Sequence, residues 1–200
     1  GRTALKKLPG EPAAVGLSGK QAAAAVGQGR LMHLYDNAFA ERGILTAQVL
    51  LTRDDLKNRT RFLNIRNTFS ELLNWGVIPV VNENDSVSSA EIETGRHKVL
   101  GDNDTLSAIV AELCRADLLV LLSDIEGLYT ADPRRDPEAR LIPVVEEVTP
   151  EIEALADGKG SSLAVGGMAT KLRAARMVTG SGADMVIANG AHPELLYDIA

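Results

Sequence analysis

Apolar positions along this chain follow two alternating rhythms: a repeat of three to four residues, and short unbroken runs. Leu31, Leu34, Tyr35, Ala38 and Phe39 keep i, i+3, i+4 spacing and predict a helix over 19–42, with Gly43 placed to stop it. The β-rich run 44–51 predicts a strand. Phe62, Ile65, Phe69, Leu72 and Leu73 make one stripe and predict a helix over 58–75, ended by Gly76. The apolar run 77–81 predicts a buried strand in which Pro79 is the discordant residue. Leu106, Ile109, Val110 and Leu113 predict an amphipathic helix over 104–115, and 117–122 reads as the clearest buried strand.

The second half is more broken. Two Asp-Pro pairs, Asp132-Pro133 and Asp136-Pro137, mark a loop over 123–140. The run 141–148 predicts an edge strand. Thr149 as N-cap and Pro150 at the first helical position predict a short helix. A Gly/Ser-rich loop over 158–167 precedes an expected helix 168–179, a strand 184–188 and a last helix 193–199. Helix and strand in alternation with short connections predict an α/β fold with a mostly parallel sheet covered on both faces. The aromatics, Trp75 included, are expected in the core.

Composition narrows the classes without choosing among them. The 200 residues suit one domain, 45% of them hydrophobic and 24% charged. The net charge of −6 speaks against a nucleic-acid partner, which calls for concentrated positive charge. Cys114 is the sole cysteine, so neither an internal disulfide nor a Cys-based zinc site is expected. His33, His97 and His192 lack ligand spacing, and no metal ligand is assignable. No apolar run approaches the roughly 20 residues of a membrane span, and the N-terminus lacks a signal-type apolar stretch. The expectation is a cytoplasmic protein without a membrane partner.

A doubly wound sheet binds ligands beyond the carboxyl ends of its strands, so the polar loops that follow strands matter most. Asn82-Glu83-Asn84-Asp85 follows the 77–81 strand, and either a turn or a polar ligand site accounts for it. Gly101-Asp102-Asn103-Asp104 opens the 104–115 helix; capping explains one such residue but not three in a row. Gly166-Gly167-Met168-Ala169-Thr170-Lys171 reads as a helix start with a lysine in its first turn. Free N–H groups and the positive helix end attract phosphate there, and a bound phosphate would account for the lysine. The spacing is not that of a P-loop. Ser123-Asp124 ends the strongest strand.

These segments, together with Leu121 to Tyr129, Leu50 to Asn64 and Ala25-Val26-Gly27-Gln28, resemble the amino acid kinase family over about 18–190. The resemblance implies a three-layer αβα sandwich with a mostly parallel central sheet, here without its N-terminal strands. It implies transfer of phosphate from ATP, with Mg²⁺, to the γ-carboxylate of L-glutamate, giving L-glutamyl 5-phosphate as the first step of proline synthesis. It places Asp85 and Asn103 on the glutamate, and Ser123 and Asp124 in the nucleotide site. Val165, Gly166, Gly167, Met168, Ala169, Thr170 and Lys171 wrap the phosphates. Lys171 and Asp104 are the catalytic residues, Asp104 organising the lysine. A homo-oligomer and proline as feedback inhibitor are also implied.

Two departures stand beside the resemblance. The family's initial strand with its Lys-x-Gly-[Ser/Thr] loop, and the Ser-Gly-rich turn after the second strand, are not in the sequence, so the segment by itself is expected to be inactive. The loop 94–100 is longer than in many members. No RNA-binding-like domain is expected, and the whole chain reads as one kinase domain. The competing expectations are an acetylglutamate, uridylate or aspartate kinase, or a non-catalytic regulatory module that binds nucleotide or amino acid. A dehydrogenase would need a Gly-x-Gly-x-x-Gly after a strand, and none is found.

Overall fold

The computed structural model describes residues 16–87, 103–156 and 165–200. The chain gathers into two compact units, 1–101 and 102–200. The α/β class with parallel strands is found in each.

In the first unit, α1 (Leu17–Ala40) leads to β1 (Thr46–Leu51), α2 (Arg53–Lys57), α3 (Arg59–Asn74) and β2 (Ile78–Glu83). β1 and β2 pair in parallel, with Thr46 opposite Ile78 and Leu51 opposite Glu83. Pro79 fits this strand for a geometric reason. The N–H groups of Ile78 and Asn84 donate to Leu45 and Leu51, so even-numbered residues of β2 face β1. Pro79, at an odd position, removes no donor from that ladder. Phe69 and Ala23 are fully buried, while Leu51 and Val77 are nearly so. Gly43 and Gly76, both at φ +69°, end α1 and α3 in the left-handed conformation that favours glycine. Trp75 departs from expectation. It caps α3 on the solvent side and is 71% exposed.

The helix α2 was not anticipated. Thr52 accepts from the Asp55 N–H at 3.3 Å, and the Asp55 carboxylate accepts from the Thr52 N–H at 2.9 Å. This reciprocal capping box lets a five-residue helix start directly after β1. Asn58 then caps α3 by accepting from the Arg61 N–H at 3.0 Å.

The second unit runs α4 (Asn103–Cys114), β3 (Leu118–Ser123), α5 (Pro150–Ala156), α6 (Val165–Gly180), β4 (Asp184–Asn189), a 3₁₀ turn (Pro193–Leu195) and α7 (Leu196–Ile199). β3 and β4 pair in parallel, Leu118 opposite Asp184 and Ser123 opposite Asn189. Ala108, Ala111, Leu121, Ala174, Val178 and Ala183 form the core. Small side chains at 108, 111 and 174 let α4 and α6 approach closely, and burying Val178 contributes about 1.5–3 kcal/mol.

Three expectations change in this unit. The run 141–148 forms no strand; Leu141 makes only an isolated antiparallel bridge to Tyr129, because Ile142, Val145 and Val148 pack onto Leu128, Ala156 and Leu172 instead. The helix expected from 168 begins at Val165, so Lys171 stands in its second turn rather than its first. The last helix is split into a 3₁₀ turn and one α-turn. Thr149 does cap α5, accepting from the Ile152 N–H at 3.4 Å. Gly101, Asp102, the loop 94–100 and most of the Gly/Ser-rich loop lie outside the described residues. Among the described residues no helix is long and apolar enough to cross a membrane.

Candidate active site

Three of the residues singled out in the sequence meet in the second unit. Asp104, second residue of α4, receives the Lys171 ammonium at 3.1 Å and the Thr170 hydroxyl at 2.7 Å, both on Oδ2. The Thr170 hydroxyl also lies 2.8 Å from the Gly167 carbonyl oxygen. The ion pair is largely withdrawn from water, with 14% of Lys171 and 19% of Asp104 exposed. The packing explains the meeting. Ala108 is one turn beyond Asp104, Ala174 one turn beyond Thr170, and both belong to the same core cluster. Because Lys171 stands past the first turn of α6, the helix dipole does not oppose it. Asp104 is its partner in this structure.

The start of α6 offers backbone donors. A helix leaves its first N–H groups without an intrahelical carbonyl partner, and among the described residues an added Cβ at Gly167 would meet nothing within 4 Å. Met168 and Ala169 pack inward against the cluster around Leu128 and Leu172. Val165 and Gly166 lie in the same first turn. Asn103 is the exposed first residue of α4, its carbonyl accepting from the Ser107 hydroxyl at 2.7 Å.

Ser123 and Asp124 end β3, where the Ser123 carbonyl accepts from the Gly190 N–H at 2.7 Å and so ties the ends of β3 and β4 together. Asp124 takes a hydrogen bond from Arg134 at 2.8 Å and one from Ser123 at 3.3 Å. The Arg134 guanidinium holds the Asp124 carboxyl below its ordinary range. Glu126, two residues on, accepts from Tyr129 at 3.0 Å and from Asn189 at 3.3 Å.

In the first unit a cavity of about 440 Å³ is lined by Lys20, Gln28, Asn82, Glu83, Asp85 and Ser86 among others. Asn82 donates to Gln28 at 3.0 Å, and Gln28 donates to Gln48 at 3.4 Å. The Asn82 oxygen accepts from the Glu83 N–H at 2.9 Å. Three amides are thereby fixed in orientation, with Asp85 in the turn after β2 as a carboxylate on the wall. The volume suits an amino acid, and the wall carries groups of both signs.

Sequence reasoning passed over Lys20, Gln28 and Arg134. Gln28 stood in a stretch noted only for its resemblance, and Arg134 in a loop read as turns. Among the described residues no group of three His, Cys, Asp or Glu side chains could hold a metal ion.

Comparison with known proteins adds a family. The sequence profile described as the amino acid kinase family matches residues 3–189. The chain is 55% identical over 195 residues to a glutamate 5-kinase of Carboxydothermus hydrogenoformans, covering 98% of this chain and 50% of that protein. It is 54% identical over 180 residues to a glutamate 5-kinase of Clostridium acetobutylicum, covering 90% and 65%. The chain spans about half the length of most of the curated relatives it matches. Among solved structures, the isopentenyl phosphate kinase of T. acidophilum aligns with a TM-score of 0.58 at 21% identity, over 90% of this chain and 66% of that one. A carbamate kinase from Giardia lamblia bound to AMP-PNP gives 0.58 at 15%, over 89% and 72%. At those identities the likeness establishes a shared fold.

Proposed function

The chain belongs to the amino acid kinase family, and from that premise we propose that it forms the kinase segment of a glutamate 5-kinase, which phosphorylates the γ-carboxylate of L-glutamate at the expense of ATP. The observation that carries the proposal is the 55% identity to a protein of that name over nearly the whole chain. The joining of Lys171 to Asp104 supports it chemically.

A γ-carboxylate is ionised at neutral pH and is itself the nucleophile. Its oxygen forms a bond to the γ-phosphorus as the bond from that phosphorus to the ADP oxygen breaks, and no proton needs to be removed. The obstacle is the approach of two anions, so catalysis is positioning and charge stabilisation. Lys171 supplies a cation on the transferring group, and the amides at the start of α6 supply donors. Asp104 acts on the lysine, fixing where its ammonium stands. Thr170 shares that carboxylate and stiffens the arrangement.

The residues present fit a nucleotide. The backbone donors of the first turn of α6 suit phosphate, and the exposed Asp124 carboxylate suits the hydroxyl and amino donors of a nucleoside. Mg²⁺, when bound, would neutralise phosphate charge. The resemblance to the family carries Asp85 as the partner of the α-ammonium of glutamate, and Asn103 as a substrate-binding residue. A homo-oligomer, proline as feedback inhibitor, a cytoplasmic location and a single kinase domain over 1–200 are carried by the resemblance to the family.

The test is ADP release by the full-length protein with ATP and a panel of L-glutamate, N-acetylglutamate, L-aspartate and UMP. Turnover with L-glutamate and little with the others is expected. Binding of ATP and glutamate without turnover would turn the assignment to a regulatory module.

A further inference from the structure

We infer that Arg134 is a positioning residue for the nucleotide: it holds the Asp124 carboxylate at the end of β3 as a fixed acceptor for the hydroxyl and amino donors of the nucleoside. This rests on the proposal that Asp124 lines the nucleotide site.

The arm that brings Arg134 to Asp124 is built. Asp132 accepts from the Arg134 N–H through its side chain at 3.0 Å, while its carbonyl accepts from the N–H groups of Arg135 and Asp136 at 2.9 Å each. Pro133, between them, has its φ fixed by its ring. The backbone beneath the guanidinium is therefore determined by local chemistry. The base of the arm is closed by Thr130 N–H to Arg140 carbonyl at 2.9 Å, Ile142 N–H to Leu128 carbonyl at 2.8 Å, and the bridge between Tyr129 and Leu141. Its underside, Leu128 and Ile142, packs with Leu172 and Met168 of α6. The arm and the lysine-bearing helix thus share one small core.

Stability does not account for the pair. Arg134 is 68% exposed and Asp124 80% exposed, and ion pairs of that kind contribute little to folding. Its chemistry suits recognition better. An ionised carboxylate only accepts hydrogen bonds, as phosphate oxygens do at neutral pH, so Asp124 is directed to the nucleoside end. A bare carboxylate there would rotate and would repel an incoming triphosphate. The donation from Arg134 Nη2 to one Asp124 oxygen at 2.8 Å limits the rotation, and the guanidinium charge offsets that of the carboxylate.

The experiment measures ATP binding by calorimetry, together with steady-state kinetics and thermal midpoint, on the full-length protein carrying Arg134→Gln, Arg134→Lys, Asp124→Asn, or Arg134→Gln with Asp124→Asn. For Arg134→Gln the ATP Kd and KM are expected to rise on the order of tenfold, the size of one charge-assisted hydrogen bond. kcat, glutamate KM and the thermal midpoint stay unchanged. Arg134→Lys recovers part of the loss, and the double variant is no worse than Asp124→Asn alone. Normal ATP binding by Arg134→Gln beside impaired binding by Asp124→Asn overturns the inference and leaves Asp124 in the nucleotide site. Normal binding by both removes Asp124 from that site and the inference with it. A fall in kcat at unchanged ATP affinity also overturns it.

Discussion

Lys171 lies 67 residues from Asp104 in sequence, yet its ammonium is 3.1 Å from the Asp104 carboxylate. The contact joins the second turn of one helix to the first turn of another, and neither helix by itself predicts it. Lys171→Ala removes the cation proposed to act on the transferring group and is expected to lower kcat by roughly 10²–10³, the cost of one lost oxyanion donor. Asp104→Asn keeps an acceptor but loses the charge that holds the ammonium, and lowers kcat by less. Because the two act as a unit, the double variant should be no worse than Lys171→Ala. Steady-state rates at saturating ATP and glutamate check this, with ATP KM as the control for nucleotide binding.

Asp85 lines the cavity of the first unit and is proposed to meet the α-ammonium of the substrate. Asp85→Asn is expected to raise glutamate KM by about 10- to 100-fold, one charge-assisted hydrogen bond, with a smaller change in kcat. Preference for glutamate over N-acetylglutamate should narrow at the same time, since the acetylated nitrogen carries no charge. The ratio of kcat/KM for the two substrates measures this. An unchanged ratio would remove Asp85 from the recognition of the amine.

The capping box of α2 makes a prediction about acid. Bonds from Thr52, together with Arg61 at 2.9 Å, hold the Asp55 carboxyl below its ordinary 3.8. A carboxylate depressed in the folded state adds stability above its ordinary titration range, and that stability is lost as pH falls through the lowered folded value. Asp55→Asn should therefore be less stable than the parent at pH 7, and the difference should shrink as the solution is acidified below about pH 4. Thr52→Ala should cost about 1 kcal/mol at neutral pH. Urea unfolding across that pH range reads both effects.

Much of the fold was legible because its elements differ in period. β3 and α4 are written as an unbroken apolar run and a clean stripe, and both appear within one residue of their expected bounds. What failed were places where tertiary packing overruled a local signal. The run 141–148 has strand composition, but its apolar residues pack into the core beside α6. α2 is too short for periodicity to register, and only the Thr52-Arg53-Asp54-Asp55 capping pattern could have announced it. The glycines at 166 and 167 suggested a helix start just after them, whereas α6 runs through both. The residue types of the candidate site were visible in its polar loops. Its geometry was not, since the bond from Thr170 to Asp104 and the one from Arg134 to Asp124 depend on how helices and loops pack.

The central claim is that an acid oxygen of glutamate takes phosphorus from ATP beside Lys171. Its most direct measurement is the trapping of the acyl phosphate by hydroxylamine as glutamyl hydroxamate, using the full-length protein and its Lys171→Ala variant. Hydroxamate that requires both ATP and L-glutamate, and falls by roughly 10²–10³ in the variant, is the predicted result. Absence of hydroxamate while ATP and glutamate both bind, or equal yields from the two proteins, would contradict it.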